Sequence, residues 1–436
     1  MDGLRRGATR AFGHLRLPAS RLRCRCRVRV GEQMTLRRLS GLSGAVVAVT
    51  LLAGAASCSS GSGSDGVVAC TGPGVTADQV RLGMVLSDSG PGSDAFSSAR
   101  AGVNARLGVA NAAGGVNGRR ITYEWRDDTS SQLESNQVAQ DLVKDGVFGL
   151  LPVTTVFGDA LESLKNSGVP VVGFASLSTW ARYQNFFSYG YVVDPTAIAR
   201  YIQQAGGSKV GFVMTGSVDS ALQTAQEYRD AFERSGLRTT ETVPYVHGVD
   251  SPNQTISKLI AADADTIIGF TVPTDLAELV VAARNMGMNL KSTVSLVGYD
   301  QSQLPTVGRD LAGVSFDVHF RPFESSDPAV ESYRAAMAKY SPETQPAQQF
   351  AMLGYIYADM FVKGLEQAGT CPTRQSFMTG LRAVHDYNAG GLIETLDFAT
   401  NASVPLSCYA FVRINATGTD FEVVNERLCG SGTGGQ

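Results

Sequence analysis

"TAIARYIQQAGGSKVGFVM", Thr196 to Met214, reads as a helix (Thr196 to Ala205), a Gly-Gly break and a short apolar strand, "KVGFVM". The same grammar has already run once upstream. "VRLGMVLS" (Val80 to Ser87) is strand-like and Ala95 to Ala112 helical; "RITYEWRDD" is a second strand and Gln132 to Asp145 a second helix. "VFGLL" and "VPVVGFA" are short strands around a helix from Asp159 to Asn166. Short apolar runs bounded by glycine and proline, alternating with helices, predict a parallel sheet covered on both faces. Downstream of Met214 the alternation continues through helices at Asp219 to Ser235, Gln254 to Ala262 and Asp275 to Met286. "TTETVPY", "TIIGFT" and "TVSLVG" are the strands between and after them. The restart at Thr196 therefore predicts a second sheet, and with it two doubly wound α/β lobes facing each other across a cleft.

After "GVSFDVHF" three helices follow in succession, Pro328 to Tyr340, Ala347 to Gln367 and Arg374 to Val384, and then three strand-like pieces. Helices without partner strands must pack on a sheet already built, which assigns them to the first lobe. A final hairpin, Cys408 to Leu428, returns to the second. The expected division is 79–192 plus 319–400 for lobe 1 and 193–318 plus 401–430 for lobe 2. The chain crosses between them three times, and the three crossings form a hinge.

The chain has 436 residues, 43% hydrophobic and 18% charged, enough for two domains with their own cores. Its net charge of −3 hides an asymmetry. Eleven of the 37 basic residues and two of the 40 acidic ones precede Cys58, which leaves 26 against 38 and a net −12 on the remainder. A body of that sign repels nucleic acid and excludes it as a partner.

From Met34 the chain reads "MTLRRLSGLSGAVVAVTLLAGAASC": a basic start, an apolar stretch from Leu42 to Ala56 and small residues before Cys58. That is the layout of a secretory signal peptide over 34–57, too short for a spanning helix. It also resembles a bacterial lipobox, in which the cysteine is lipidated and becomes the new N-terminus; an ordinary signal peptide with an incidental cysteine is the other reading. Residues 58–78, rich in Gly and Ser at their start, are expected to be a flexible tether. Residues 1–33 fit no part of a signal peptide and are expected to be an overlong start upstream of Met34.

Beyond Cys24, Cys26 and Cys58 four cysteines remain, an even number in an exported chain: Cys70, Cys371, Cys408 and Cys429. A hairpin turning near Gly418 brings Cys408 opposite Cys429, leaving Cys70 with Cys371; a Cys371–Cys408 pairing is the alternative. No nucleophile motif, metal-ligand spacing or cofactor fingerprint occurs, and the four histidines are scattered. Asp127-Asp128, at a strand end, reads as a solvated pair pointing opposite ways. The sequence thus expects no enzyme, no metal and no cofactor. Three strand-to-helix loops remain, "SDSGPGS", "PVTTVFG" and "GFASLS". Their hydroxyls and small residues suit carboxylate binding by side-chain oxygens and backbone N–H groups, and equally suit N-capping.

At "SGP" (Ser89 to Pro91), "NAAGGVNGRRI" (Asn111 to Ile121) and "WRDDT" the chain resembles the leucine/isoleucine/valine-binding protein family, from about Val80 to Leu428. The resemblance implies the type I periplasmic-binding fold and a solute-binding lipoprotein of an ABC importer. Its expected guest is a small amino acid, such as a branched-chain one, or a related carboxylate. The expected partners are a membrane permease and a lipid anchor on Cys58 at the outer face of the membrane, with the protein itself a monomer. It also implies site residues: Ser89 in the first loop, Thr154 or Thr155 after the third strand, and Ala175 with Ser176 after the fourth. Asp300, with Tyr299 beside it, is implied to meet the ammonium. Thr271 and Val272 stand where some members carry an aromatic. The rival readings are a ligand-sensing domain for a signalling partner and a secreted α/β hydrolase.

Overall fold

A computed structural model describes residues 70–158, 160–191, 194–216 and 219–430. The leader, the signal peptide, Cys58 and the first part of the tether lie outside the described residues.

The chain opens with β1 (Gln79–Leu86), α1 (Ser93–Phe96), α2 (Ala99–Ala112), β2 (Arg120–Asp127), α3 (Gln132–Lys144), β3 (Leu150–Val153), α4 (Leu161–Ser167), β4 (Val171–Val172) and β5 (Phe186–Phe187). The strands pair parallel in the order β2-β1-β3-β4-β5. Leu82, Met84, Val85 and Leu86 are all buried, the near-continuous burial of a strand covered on both faces.

A second sheet begins with α5 (Thr196–Gln204). It continues through β6 (Lys209–Thr215), α6 (Asp219–Arg234), β7 (Arg238–Tyr245), α7 (Pro252–Ala261), β8 (Thr266–Phe270), α8 (Pro273–Asn285), β9 (Ser292–Ser295), α9 (Leu304–Val307) and β10 (Ser315–Val318). After α10 (Pro328–Tyr340), α11 (Gln349–Gln367) and α12 (Arg374–Arg382), the hairpin of β11 (Cys408–Ile414) and β12 (Phe421–Cys429) completes it. The order is β12-β11-β10-β9-β8-β6-β7, parallel up to β10 and antiparallel beyond it. The two-lobed α/β architecture expected from the sequence is present.

The helices between β10 and β11 pack on the first lobe. α11 lies so close to α2 that a Cβ on Gly102 would fall 1.8 Å from the Ala351 carbonyl oxygen, and one on Gly354 2.1 Å from that of Ala99. Arg374, opening α12, donates to the carbonyls of Phe148 and Val147 beneath β3. The chain passes between the sheets after β5, after β10 and before β11.

Four local expectations give way. The helix foreseen over Ala95 to Ala112 breaks at Ser97–Ser98 into α1 and α2. β5 was unforeseen, since two residues carry no period. Between Val384 and Cys408 there is no strand but a single bridge, Tyr387 to Leu396. Residues 70–78, the end of the expected tether, are tied down: Val75 is buried, bridges pair it with Gly72 and Val80, and Cys70 is bonded to Cys371. Cys408 is bonded to Cys429 across the hairpin, whose turn carries Gly418 at φ +74°. Among the described residues no helix is long and apolar enough to cross a membrane.

Candidate functional site

Both sheets share one order at their parallel centre: β2-β1-β3-β4-β5 in the first, β7-β6-β8-β9-β10 in the second. In each, the connections change direction between the first and third strands. The loops leaving those strands diverge and open a crevice, the place where doubly wound sheets bind ligands. The two crevices share one cavity of about 400 Å³, within the usual range for small-molecule sites. Gly92, after β1, and Thr155 and Val156, after β3, line it from one side; Thr215 and Gly216, at the end of β6, and Thr271 and Val272, after β8, line it from the other. Ala175 and Ser176 follow β4, Tyr189, Tyr191 and His319 enter from the crossings, and Asp317 enters from β10 itself.

Each lobe pins its loops with a buried acid. Asp128 is fully buried; its Oδ1 accepts from Ser87 Oγ (2.8 Å) and Ser130 N (2.9 Å). Ser87 Oγ also lies 2.9 Å from Thr154 Oγ1, which accepts from Val156 N. One carboxylate thereby joins the loops after β1, β2 and β3. In the second lobe Thr215 Oγ1 donates to Asp275 and accepts from Val272 N (3.0 Å), which joins the loops after β6 and β8. Burial raises the Asp275 pKa. The Asp127-Asp128 pair is therefore not a solvated strand end. Asp127 accepts from the N–H groups of Asp88, Ser89 and Thr129 and from the Ser89 hydroxyl. Partial burial opposes its charge, but these bonds outweigh it and hold its pKa below the ordinary range.

The walls are aromatic. Phe96, Phe174 and Phe350 form an edge-to-face group with centroids 4.3–6.0 Å apart, Tyr189 lies 5.7 Å from Tyr357, and Tyr228 lies 5.3 Å from Phe270. Burial pushes the phenols of Tyr189, Tyr228 and Tyr357 up, so they stay neutral. Among the described residues no lysine or arginine lines the cavity; Asp317 and Glu227 do. Three lining residues carry a buried polar atom without a protein partner: Ser176 Oγ, Thr271 Oγ1 and Asp317 Oδ1. Among the described residues no cluster of His, Cys, Asp and Glu could hold a metal.

Of the residues implied by the resemblance, Thr155, Ala175, Ser176 and Thr271 line the cavity. The other four do not. Ser89 is exposed and spends its hydroxyl on Asp127, and Thr154 is buried in the Asp128 network. Tyr299 is a core residue whose hydroxyl donates to Glu324 and accepts from Phe323 N. Asp300 uses Oδ1 to accept from the N–H and hydroxyl of Ser302 at 2.8 and 2.7 Å, capping its own turn. Among the described residues the acids that reach the cavity are instead Asp317 and Glu227. A signal for Asp317 existed: it is the one charge in a strand, Ser315 to Val318, that is buried throughout. Glu227 and Tyr228, two turns into a long amphipathic helix, gave none.

A family model described as periplasmic binding protein matches residues 79–419. The Leu/Ile/Val-binding protein homolog 4 of Brucella abortus is 23% identical over 305 residues, 64% of this chain and 72% of that protein. Among solved structures, a fatty acid ABC transporter substrate-binding protein from Thermomonospora curvata superposes with a TM-score of 0.73 at 19% identity, covering 83% of this chain and 95% of that one. A solute-binding protein of an R. palustris ABC transporter, in complex with 4-hydroxybenzoate, does so at 0.68 and 17%, covering 81% and 98%. A leucine-binding protein from Thermotoga maritima gives 0.66 and 19%, covering 79% and 99%.

Proposed function

The chain belongs to the periplasmic binding protein family, and from that premise we propose that it is the extracytoplasmic solute receptor of an ABC importer. It closes two lobes on a small organic solute, an amino acid or a molecule of similar size, and presents the closed form to a membrane permease. The observation that carries this reading is the shared cavity: both switch points contribute loops to one space, so a single guest touches both lobes. A guest with higher affinity for the closed arrangement shifts the open–closed balance by that difference and undergoes no chemistry. The mature receptor acts as a monomer, held at the outer face of the membrane by a lipid on Cys58. The Cys70–Cys371 bond then sets where the leash leaves the first lobe.

Thermal-shift screening of the mature chain against amino acids, amines, amides and aromatic or aliphatic acids, with small-angle scattering on each hit, tests the reading. A solute at a hundred times its Kd adds about 2.7 kcal/mol of stability, and it should also reduce the radius of gyration. A library-wide failure to move the melting temperature, or a hit consumed in the reaction mixture, overturns it. For the anchor, Cys58→Ser should release the protein from the membrane fraction; continued retention removes the lipid from the account.

A further inference from the structure

Resting on the receptor reading above, we infer that the cavity takes a cation: a small primary amine with an apolar or aromatic body, its positive end at Asp317, for which a carboxylate on the same molecule is a burden. Charge is the first ground. Among the described residues two carboxylates, Asp317 and Glu227, line the space, and neither a lysine nor an arginine does. A carboxylate guest meets like charge there, with the one lining histidine, His319, already turned to Asp317; an ammonium meets opposite charge.

Asp317 supplies the second ground. It sits in β10 between Phe316 and Val318 and is 5% exposed. Its Oδ2 is engaged by His319 Nε2 at 2.9 Å, while its Oδ1 is buried with no protein partner. A buried carboxylate oxygen left unpaired is among the costlier features a fold can carry. The His319 contact accounts for one oxygen and leaves the other. An ammonium, with three N–H donors and no acceptor, is the complement of such a group.

The third ground is what surrounds it. Tyr228 feels the charges of both Asp317 and Glu227, and its ring packs 5.3 Å from that of Phe270. Tyrosine and phenylalanine faces attract cations, the more so where water is excluded. Thr271 Oγ1, buried and unpaired in the loop after β8, is a further acceptor on the same lobe. On the first lobe, the Phe96, Phe174 and Phe350 group offers only apolar surface, which suits the body of the guest.

The test uses the mature chain and sets of molecules sharing a body and differing at the head. One set is 2-phenylethylamine, phenylalanine, 3-phenylpropionate and 3-phenylpropanamide; another is isopentylamine, leucine, 4-methylpentanoate and its amide. Calorimetric Kd values should place each amine at least tenfold below its amino acid and its acid. Asp317→Asn should weaken the amines at least tenfold and change the amides less than threefold. Glu227→Gln, at an exposed position, should weaken the amines about threefold and gives a second reading if Asp317→Asn folds poorly. An acid or amino acid that binds more tightly than its amine, or amides that lose as much as amines in Asp317→Asn, overturns the inference and leaves the receptor standing. Silence from every head group on both bodies overturns the inference alone, since the receptor reading falls only with the library-wide failure given above.

Discussion

Asp128 holds two cleft loops on one oxygen and touches a third through Ser87, although nothing larger than a hydroxyl or an N–H binds to it. Asp128→Ala leaves the Ser87 hydroxyl and the Ser130 N–H without their acceptor in a dry site. The expected cost is about 1–3 kcal/mol in urea unfolding, with solute affinity down roughly tenfold as the loops lose their alignment. Asp128→Asn keeps an acceptor in place and should lose less on both measures; equal losses would show that charge, not the acceptor, fixes the loops. Asp300 offers the opposite expectation. Its Oδ1 is committed to Ser302, so Asp300→Asn should leave the preference among head groups within twofold, and a tenfold loss for amines would place it at the guest after all. Burial raises the Asp300 pKa, so the folded state holds this proton more tightly than the unfolded chain does. Its contribution is present at low pH and falls as pH climbs from the ordinary aspartate range through the raised value. Relative to wild type, Asp300→Asn should therefore gain stability over that window in unfolding measured against pH. What the sequence does show at this scale is residue type in the loops, hence Thr155 and Ser176. It does not show which carboxylate is free to meet a guest, because Asp300 and Asp317 are both buried and differ in their partners, which come from the fold.

The elements were the most legible part, wherever a period is long enough to read. β1, β6 and the helices α3, α6 and α10 lie within a residue or two of where apolar spacing puts them. α1 and α2 read as one helix because Phe96 and Ala99 continue a helical stripe, and the break at Ser97–Ser98 follows from tertiary packing. That packing is α11 seated on α2, with glycine facing backbone at Gly102 and Gly354. Neither position needs an unusual φ; each needs the absence of a Cβ. Gly102→Ala and Gly354→Ala should each force the helices apart and destabilise by about 1–3 kcal/mol, read as a lower urea midpoint with an unchanged slope. Gly108 differs, since its extra methyl would meet the root of the Tyr340 side chain, 2.5 Å from Cγ, which can give way only by turning the whole ring, where Gly102 meets backbone that cannot turn. Gly108→Ala should cost less than either, and a ranking with Gly108→Ala worst would refute the close helix contact.

For the whole molecule, the two lobes were readable because alternation restarts at Thr196, whereas the cavity joins residues hundreds of positions apart and has no local signature. The lobes also touch across the cleft. Ser178 Oγ donates to Glu227 Oε1 at 3.1 Å, and Gln303 Nε2 donates to the Asp94 carbonyl at 3.3 Å. Both bonds are solvent-exposed, so each contributes at the low end of the net range, together about 1 kcal/mol in favour of closure. Removing them in Ser178→Ala/Gln303→Ala should lower the closed-to-open ratio about fivefold. When closed molecules are the minority, the apparent Kd of every guest should rise by that same factor, because affinity scales with the fraction competent to bind. Ser178 lines the cavity and holds Glu227, whereas Gln303 does not line it, so it is Gln303→Ala alone that should leave head-group ranking and the compactness reached at saturation unchanged. Scattering from the empty and saturated double variant, set beside a titration, separates the cases. A larger empty radius with a normal saturated one supports latching. A Kd shift with neither radius altered would mean that Glu227 acts on the guest alone and that closure is governed elsewhere.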